Sequence, residues 1–252
     1  MPSPLTGIAS RIAAVRARID DAARAAGRDP QELRLLLATK TQDAETVLDA
    51  VSAASSGPGG SRSVLIGENR VQELVAKAPA LASLVADGQL EVHMIGHLQS
   101  NKVNQVLATA SCVQTVDSAA LASALSTRCE RDGRVLDVMV QVNVSGEDTK
   151  AGTRPTEAAA LARDVAALPG LRLTGFMTIG ALSDDDAVVR AGFARLRAIR
   201  DEVVASGAPG TADARELSMG MTGDLELAVA EGATIVRVGT AVFGSRAVPA
   251  AH

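Results

Sequence analysis

Short apolar runs and longer amphipathic stretches alternate along most of this chain. Runs that read as buried strands fall at 34–39, 63–66, 91–95, 112–116, 136–143, 172–178, 215–218 and 234–238. Between them apolar residues recur at helical spacing, at about 43–54, 68–78, 100–108, 118–131, 156–168, 186–205 and 222–231. Several of these stretches open on Asp, Ser or Thr, whose side chains accept hydrogen bonds from the first free N–H groups of a helix. Apolar strands separated by helices imply a parallel sheet covered on both faces. Eight such repeats predict an α/β fold of one domain spanning 1–252, a closed (β/α)8 barrel. An extra helix precedes the first strand, where Ile8, Ile12, Val15 and Ile19 form one apolar stripe. The Arg- and Ala-rich composition there also fits a transit peptide, but Asp20, Asp21 and the lack of an uninterrupted apolar core favour a docked helix. The stretch "SSGPGGSRS" (55–63) is too polar and Gly-rich to pack and reads as a flexible loop.

Composition narrows the function classes. The 252 residues are 47% hydrophobic with a formal charge of −4, which argues against disorder and against nucleic acid as a partner. No stretch approaches the ~18 apolar residues of a membrane span, so a soluble protein with no membrane partner is expected. Cys112 and Cys129, one in an apolar run and one in a helical pattern, read as reduced thiols of a cytoplasmic protein. The chain has no Tyr and no Trp, so no tyrosine acid or base is available within it. With so few aromatics no interface patch stands out, and a monomer or weak dimer is expected.

In such barrels chemistry gathers where the strands end. Strand one ends at Lys40 in "LLLATKTQ", an ammonium at the mouth of a buried strand that must find a partner, reach solvent or lose its proton. Lys40 shares parity with Leu36 and Ala38, so if that face is interior it points at the barrel mouth. In strand five, Val138, Val140, Val142 and Val144 should meet the helices, and Gln141 and Asn143 the barrel axis. Strand eight sets Arg237 against Val236 and Val238 in the same way. Each residue alone has an ordinary reading: a lysine at a strand end is commonly solvated or salt-bridged, His93 and His97 are commonly surface or hydrogen-bonded core residues, and Ser218–Gly220 and Gly239–Thr240 are commonly turns. The histidines lack the spacing to Cys or carboxylates that zinc needs, and metal is set aside. Together they say more. "SMGMTGD" and "GTAVFGS", after strands seven and eight, suit a phosphate site, and strand one is their neighbour in a closed barrel. A lysine beside a phosphate site suggests a phosphorylated carbonyl compound held as a Schiff base.

The motifs "LLLATKTQ", "IGENRVQEL", "IGHLQSNKVNQVL", "TVDS", "VQVNVSGEDTKAG", "GFMTIG" and "LSMGMTGDLELAVAEGATIVRVGTAVFGSR" resemble, in order and spacing, the pyridoxal phosphate homeostasis protein family across roughly 33–246. The resemblance implies a barrel similar to the N-terminal domain of alanine racemase, without its C-terminal β domain. It implies pyridoxal 5′-phosphate (PLP) as cofactor, bound at Lys40, with Arg237 facing the pyridine nitrogen. Ser218, Gly220, Gly239 and Thr240 match phosphate-binding positions, and Asn69, His97, Asn143 and Met177 fall in motifs lining the same mouth. Gln42 and Asp43 stand where a Lys-Pro pair is frequent, and Arg70 where an aromatic is common. The expected function is cofactor holding and delivery to PLP-dependent apoenzymes, without a robust reaction of its own. Two alternatives stand beside it: a PLP-dependent racemase or deaminase with His97 as second proton carrier, and a Schiff-base aldolase working without PLP.

Overall fold

β1 (Arg34–Ala38) pairs in parallel with both β2 (Val64–Glu68) and β8 (Ile235–Val238), which closes the sheet into a ring. The remaining strands, β3 (Leu90–Met94), β4 (Cys112–Val116), β5 (Leu136–Gln141), β6 (Leu171–Met177) and β7 (Glu216–Ser218), follow in chain order. The computed structural model describes residues 4–56, 63–147 and 149–244. The connecting helices are α2 (Ala44–Ser55), α3 (Val71–Ala86), α4 (Val103–Leu107), α5 (Ala119–Arg131), α6 (Pro155–Ala166), α7 (Asp186–Ala205), α8 (Leu225–Ala230) and α9 (Thr240–Phe243), with α1 (Pro4–Ala25) ahead of the barrel. The expected caps form: Asp43 accepts from Thr46 N at 2.8 Å and Asp185 from Ala187 N at 2.8 Å.

Strand parity divides the core in two. Leu37, Ile66, Val113, Val138 and Val140 pack outward beneath the helices. Leu36, Leu65, Cys112, Met139, Met177 and Ile235 form a smaller cluster inside the barrel, with Ala38 packed against it. The valines of β5 therefore face the helices as their spacing predicts, and Leu36 and Ala38 do mark the inward face of β1. Both cysteines are buried and free.

Some boundaries differ from the sequence reading. The helix predicted at 68–78 runs on to Ala86 through Pro79. Pro79 and Val75 are both exposed, so the carbonyl that loses its partner faces water, and Leu81 continues the buried stripe. The segment 100–108 splits into a 3-10 turn, Ser100–Lys102, and the five residues of α4. β5 stops at Gln141, where an isolated bridge joins Val142 to Thr153, and α8 is shorter than the 222–231 pattern. Residues 57–62 of the Gly-rich loop lie outside the described residues.

The stripe Ile8, Ile12, Val15 and Ile19 is buried, each side chain worth roughly 1.5–3 kcal/mol when fully buried. Arginines of α1 then reach carbonyls of distant elements: Arg16 donates to Ala54 O (2.7 Å), Arg18 to Thr222 O (3.1 Å), and Arg11 to Val242 O. No helix among the described residues is long and apolar enough to cross a membrane.

The amino end of the barrel holds a polar cavity of about 340 Å³ lined by charged side chains that pair with one another. Arg34 donates to Glu91 Oε1 at 2.7 Å, and Arg172 makes a two-pronged pair with Asp137 at 2.7 Å. Burial raises the Glu91 pKa, but the nearby His93 ring and hydrogen bonds from Arg34 and Ser63 outweigh it and hold the carboxyl well below its ordinary 4.5. Because the folded value is depressed, the stability from this carboxylate is present above 4.5 and lost as pH falls toward the lowered value. Glu91→Gln is accordingly expected to flatten the fall of melting temperature between pH ~5 and ~3, measured by thermal denaturation; an acid limb as steep as that of the unmodified chain would refute the assignment.

Candidate functional site

Lys40 follows β1 by two residues, in a turn that projects it from the carboxyl end of the barrel. It is exposed, and its ammonium makes no hydrogen bond or ion pair with the described residues. The backbone on either side of it is fixed. Thr39 is fully buried; its N–H donates to Gly67 O (3.0 Å) and its hydroxyl to Glu68 Oε1 (2.5 Å). Lys77, buried on α3, donates to Thr39 O (2.8 Å) and to Glu68 Oε1 (2.7 Å). Thr41 has φ +66°, a left-handed conformation that a β-branched residue adopts at a cost of about 1–3 kcal/mol. Its N–H is held by Glu73 Oε2 at 2.8 Å. One buried ion pair and one carboxylate thus clamp the peptides flanking Lys40 and leave its side chain free. Burial raises the Glu68 pKa, with Lys77 and Thr39 hydrogen bonds acting against it, and Glu68 Oε2 has no partner.

Arg237 lies inside the barrel, 6% exposed. Its guanidinium donates to Ser218 Oγ (2.8 Å) and to Thr178 O (2.7 Å), both neutral acceptors. No described carboxylate lies within salt-bridge distance. Burial lowers its pKa to about 10, with Asp224 acting in the opposite direction, so at neutral pH it carries its charge. An unpaired buried cation costs several kcal/mol. Two of its five N–H donors are used by protein acceptors, which leaves a fixed positive group facing the barrel interior below the mouth. Gln141 Oε1 is likewise buried without a partner, its amide nitrogen donating to Ala151 O at 3.1 Å.

The loop after β8 sits beside β1, and the loop after β7 lies one strand further round. A Cβ at Gly239 would lie 3.2 Å from Ala38 O, and one at Gly220 (φ +90°) would lie 2.5 Å from Ala228 Cβ, so both positions need glycine's small size. Thr240 is exposed at the start of α9, its hydroxyl 3.3 Å from that of Thr222 in the β7 loop. Asn69 and His97 stand exposed at the ends of β2 and β3, and His97 Nδ1 is 3.7 Å from Asp117 Oδ2.

The structure therefore brings Lys40, Asn69, His97, Gly220, Gly239 and Thr240 to one end of the barrel, with Arg237, Ser218 and Met177 beneath them in its interior. Three placements qualify the sequence reading. Ser218 is fully buried, its hydroxyl donating to Gln114 Oε1 (2.6 Å) while accepting from Arg237. Met177 packs with the interior apolar cluster. The Asn143 amide is taken up by its own loop, donating to Glu147 O (2.8 Å) and Lys150 O (3.0 Å) and accepting from Gly146 N (3.1 Å). Sequence reasoning missed Thr39, Glu68, Lys77 and Gln114. Of these only Gln114 carried a signal that could have found it, being an amide at the centre of the apolar run "CVQTV".

A buried guanidinium with unused donors beneath the mouth and a partner-free amine at its rim fit a ligand that carries both a hydrogen-bond acceptor and an electrophilic carbonyl. Comparison with known proteins points the same way. The family profile described as alanine racemase, N-terminal domain, matches residues 12–247. A protein of Pseudomonas aeruginosa named pyridoxal phosphate homeostasis protein is 42% identical over 242 residues, 96% of this chain and 97% of that one. Among solved structures, an unknown protein from Bifidobacterium adolescentis superposes with a TM-score of 0.88 at 44% identity, covering 95% of each chain. PipY of Synechococcus elongatus with PLP bound superposes with a TM-score of 0.76 at 34% identity, covering 94% of this chain and all of that one.

Proposed function

The chain belongs to the pyridoxal phosphate homeostasis protein family, and from that premise we propose that it holds PLP at the carboxyl end of its barrel, attached at Lys40, and delivers it to PLP-dependent apoenzymes in the cytoplasm. The observation that carries the reading is the buried, unpaired guanidinium of Arg237 below a lysine that the fold clamps by its backbone alone. When bound, the cofactor supplies an aldehyde that condenses with a primary amine, an aromatic ring nitrogen, and a phosphate. Lys40 Nζ, free of protein partners, is the amine presented to that aldehyde. Arg237 donates toward the ring nitrogen and, being always protonated at neutral pH, keeps a proton off it. The loops at Gly220 and Gly239–Thr240 receive the phosphate, with Thr222 and Thr240 hydroxyls at the entrance; the Ser218 hydroxyl is taken by Gln114 and Arg237.

The same groups favour a carrier over an enzyme. A ring nitrogen facing a guanidinium is a weak electron sink, and the chain contains no tyrosine to act as a second acid or base. His97, the alternative proton carrier, is about 60% exposed and is paired loosely with Asp117.

The test is direct. Purified chain incubated with PLP and passed through gel filtration is expected to elute with the cofactor bound, and to retain unphosphorylated pyridoxal poorly. The loaded protein mixed with L-amino acids in deuterated water is expected to leave the α-proton in place. Elution without cofactor would end the binding proposal; α-proton exchange at ordinary enzyme rates would make it a racemase-type enzyme.

A further inference from the structure

We propose that Gln114 and His93 are positioning residues for Arg237, forming a one-way hydrogen-bonded chain that runs from this guanidinium, at the cofactor end of the barrel, to His93, whose Nε2 lies 3.5 Å from the Glu91 carboxylate at the opposite end. The inference rests on the cofactor-holding reading for its consequence, while its geometry stands independently. The chain runs through the barrel interior in three hydrogen bonds: Arg237 to Ser218 Oγ at 2.8 Å, Ser218 Oγ to Gln114 Oε1 at 2.6 Å, and Gln114 Nε2 to His93 Nδ1 at 2.7 Å. Beyond them His93 Nε2 makes no hydrogen bond and faces Glu91 Oε2 across 3.5 Å. Ser218 and Gln114 are fully buried and His93 is 3% exposed.

Its direction follows from one end. A guanidinium has only donors, so Ser218 Oγ accepts from Arg237 and has its own proton free to send onward. The carbonyl of Gln114 takes that proton. The amide nitrogen then faces His93, and an amide nitrogen only donates, so Nδ1 of His93 must be the bare acceptor. The imidazole is thereby the neutral tautomer with its proton on Nε2, aimed at Glu91. Glu91 is itself fixed by Arg34 and Ser63. Arg237 has no direct counter-ion; the three neutral links are polarised in the same sense, away from the cation and toward the end where Glu91 lies 3.5 Å from His93. The guanidinium is held in place by Ser218 Oγ, itself tied to Gln114, and by Thr178 O, which leaves its remaining N–H groups for a ligand.

The experiment uses the whole chain with 15N-labelled histidine. His93, His97 and His252 are its three histidines, and His93 is assigned by its absence from the His93→Gln spectrum. At neutral pH, with and without PLP, the His93 signals are expected to show a bare Nδ1 and a protonated Nε2. In Gln114→Glu, which offers no donor to Nδ1, His93 is expected to be protonated on both nitrogens. Gln114→Met, which breaks the chain, is expected to release PLP about tenfold faster, the scale of a lost hydrogen bond in a charge-assisted set. A wild-type His93 protonated on Nδ1 would overturn the proposal, as would Gln114→Met releasing PLP at the wild-type rate. If either variant fails to fold, the wild-type tautomer still decides. A wild-type chain that takes up no PLP yet shows the stated tautomer would remove the cofactor reading and leave the relay standing.

Discussion

Replacing Lys77 with Met is expected to destabilise the protein by about 3–5 kcal/mol, because it strands the Glu68 carboxylate in a site sealed from water. Lys77 is 5% exposed and Glu68 is fully buried, with their charged atoms 2.7 Å apart. Glu68 already has one oxygen without a partner, so removal of the ammonium leaves the hydroxyl of Thr39 as its main support. The deficit depends on pH in a defined direction. The Glu68 pKa is raised in the fold, and losing Lys77 raises it further. A raised carboxyl contributes stability at low pH that is lost as pH rises through its folded value, so the deficit is largest at neutral and alkaline pH and shrinks toward acid. Chemical denaturation at several pH values measures it. The double variant Glu68→Leu with Lys77→Met, which removes both charges, is expected to recover most of the loss. A single variant as stable as wild type at pH 8 would show that the pair does not hold the turn.

Lys40→Ala is expected to have the opposite profile: nearly silent for the fold and severe for the cofactor. The side chain is exposed and free of partners, so the unloaded variant should unfold within about 0.5 kcal/mol of wild type. Borohydride treatment of PLP-loaded wild type should fix one cofactor to the peptide containing residue 40, and the variant should yield none. Without the covalent link the affinity for PLP should drop at least about a hundredfold, equivalent to ~2.7 kcal/mol, and the rise in melting temperature on adding PLP should nearly vanish. A cofactor fixed to another lysine in wild type would reassign the site.

The two variants also show which parts of this molecule can be read from its residues. The barrel was legible because strands covered on both faces leave uninterrupted apolar runs, and the α1 stripe because its spacing has one meaning. Lys40 and Arg237 were legible because a charge at the end of, or inside, an apolar strand demands an explanation. Lys77 gave no such signal: on an amphipathic helix it resembles any solvated lysine, and only the barrel places Glu68 beneath it. The continuation of α3 past Pro79 was hidden because a proline reads as a stop unless the exposure of Val75 is known. Gln114 was missed, although an amide at the centre of an apolar strand is a signal of its own. Its partners His93 and Ser218 lie 21 and 104 positions away, and closure of the barrel brings them together. Asn143 was read as facing the mouth, and its strand parity agrees, yet the loop that follows claims its amide.

The docking of α1 has a consequence for how the protein comes into being. Arg11 closes onto Val242, 231 positions later, and Arg18 onto Thr222, 204 positions later, so α1 is synthesised more than 200 residues ahead of elements that seat it. At roughly 5–20 residues per second, that helix waits on the order of ten seconds or longer with its isoleucine stripe uncovered.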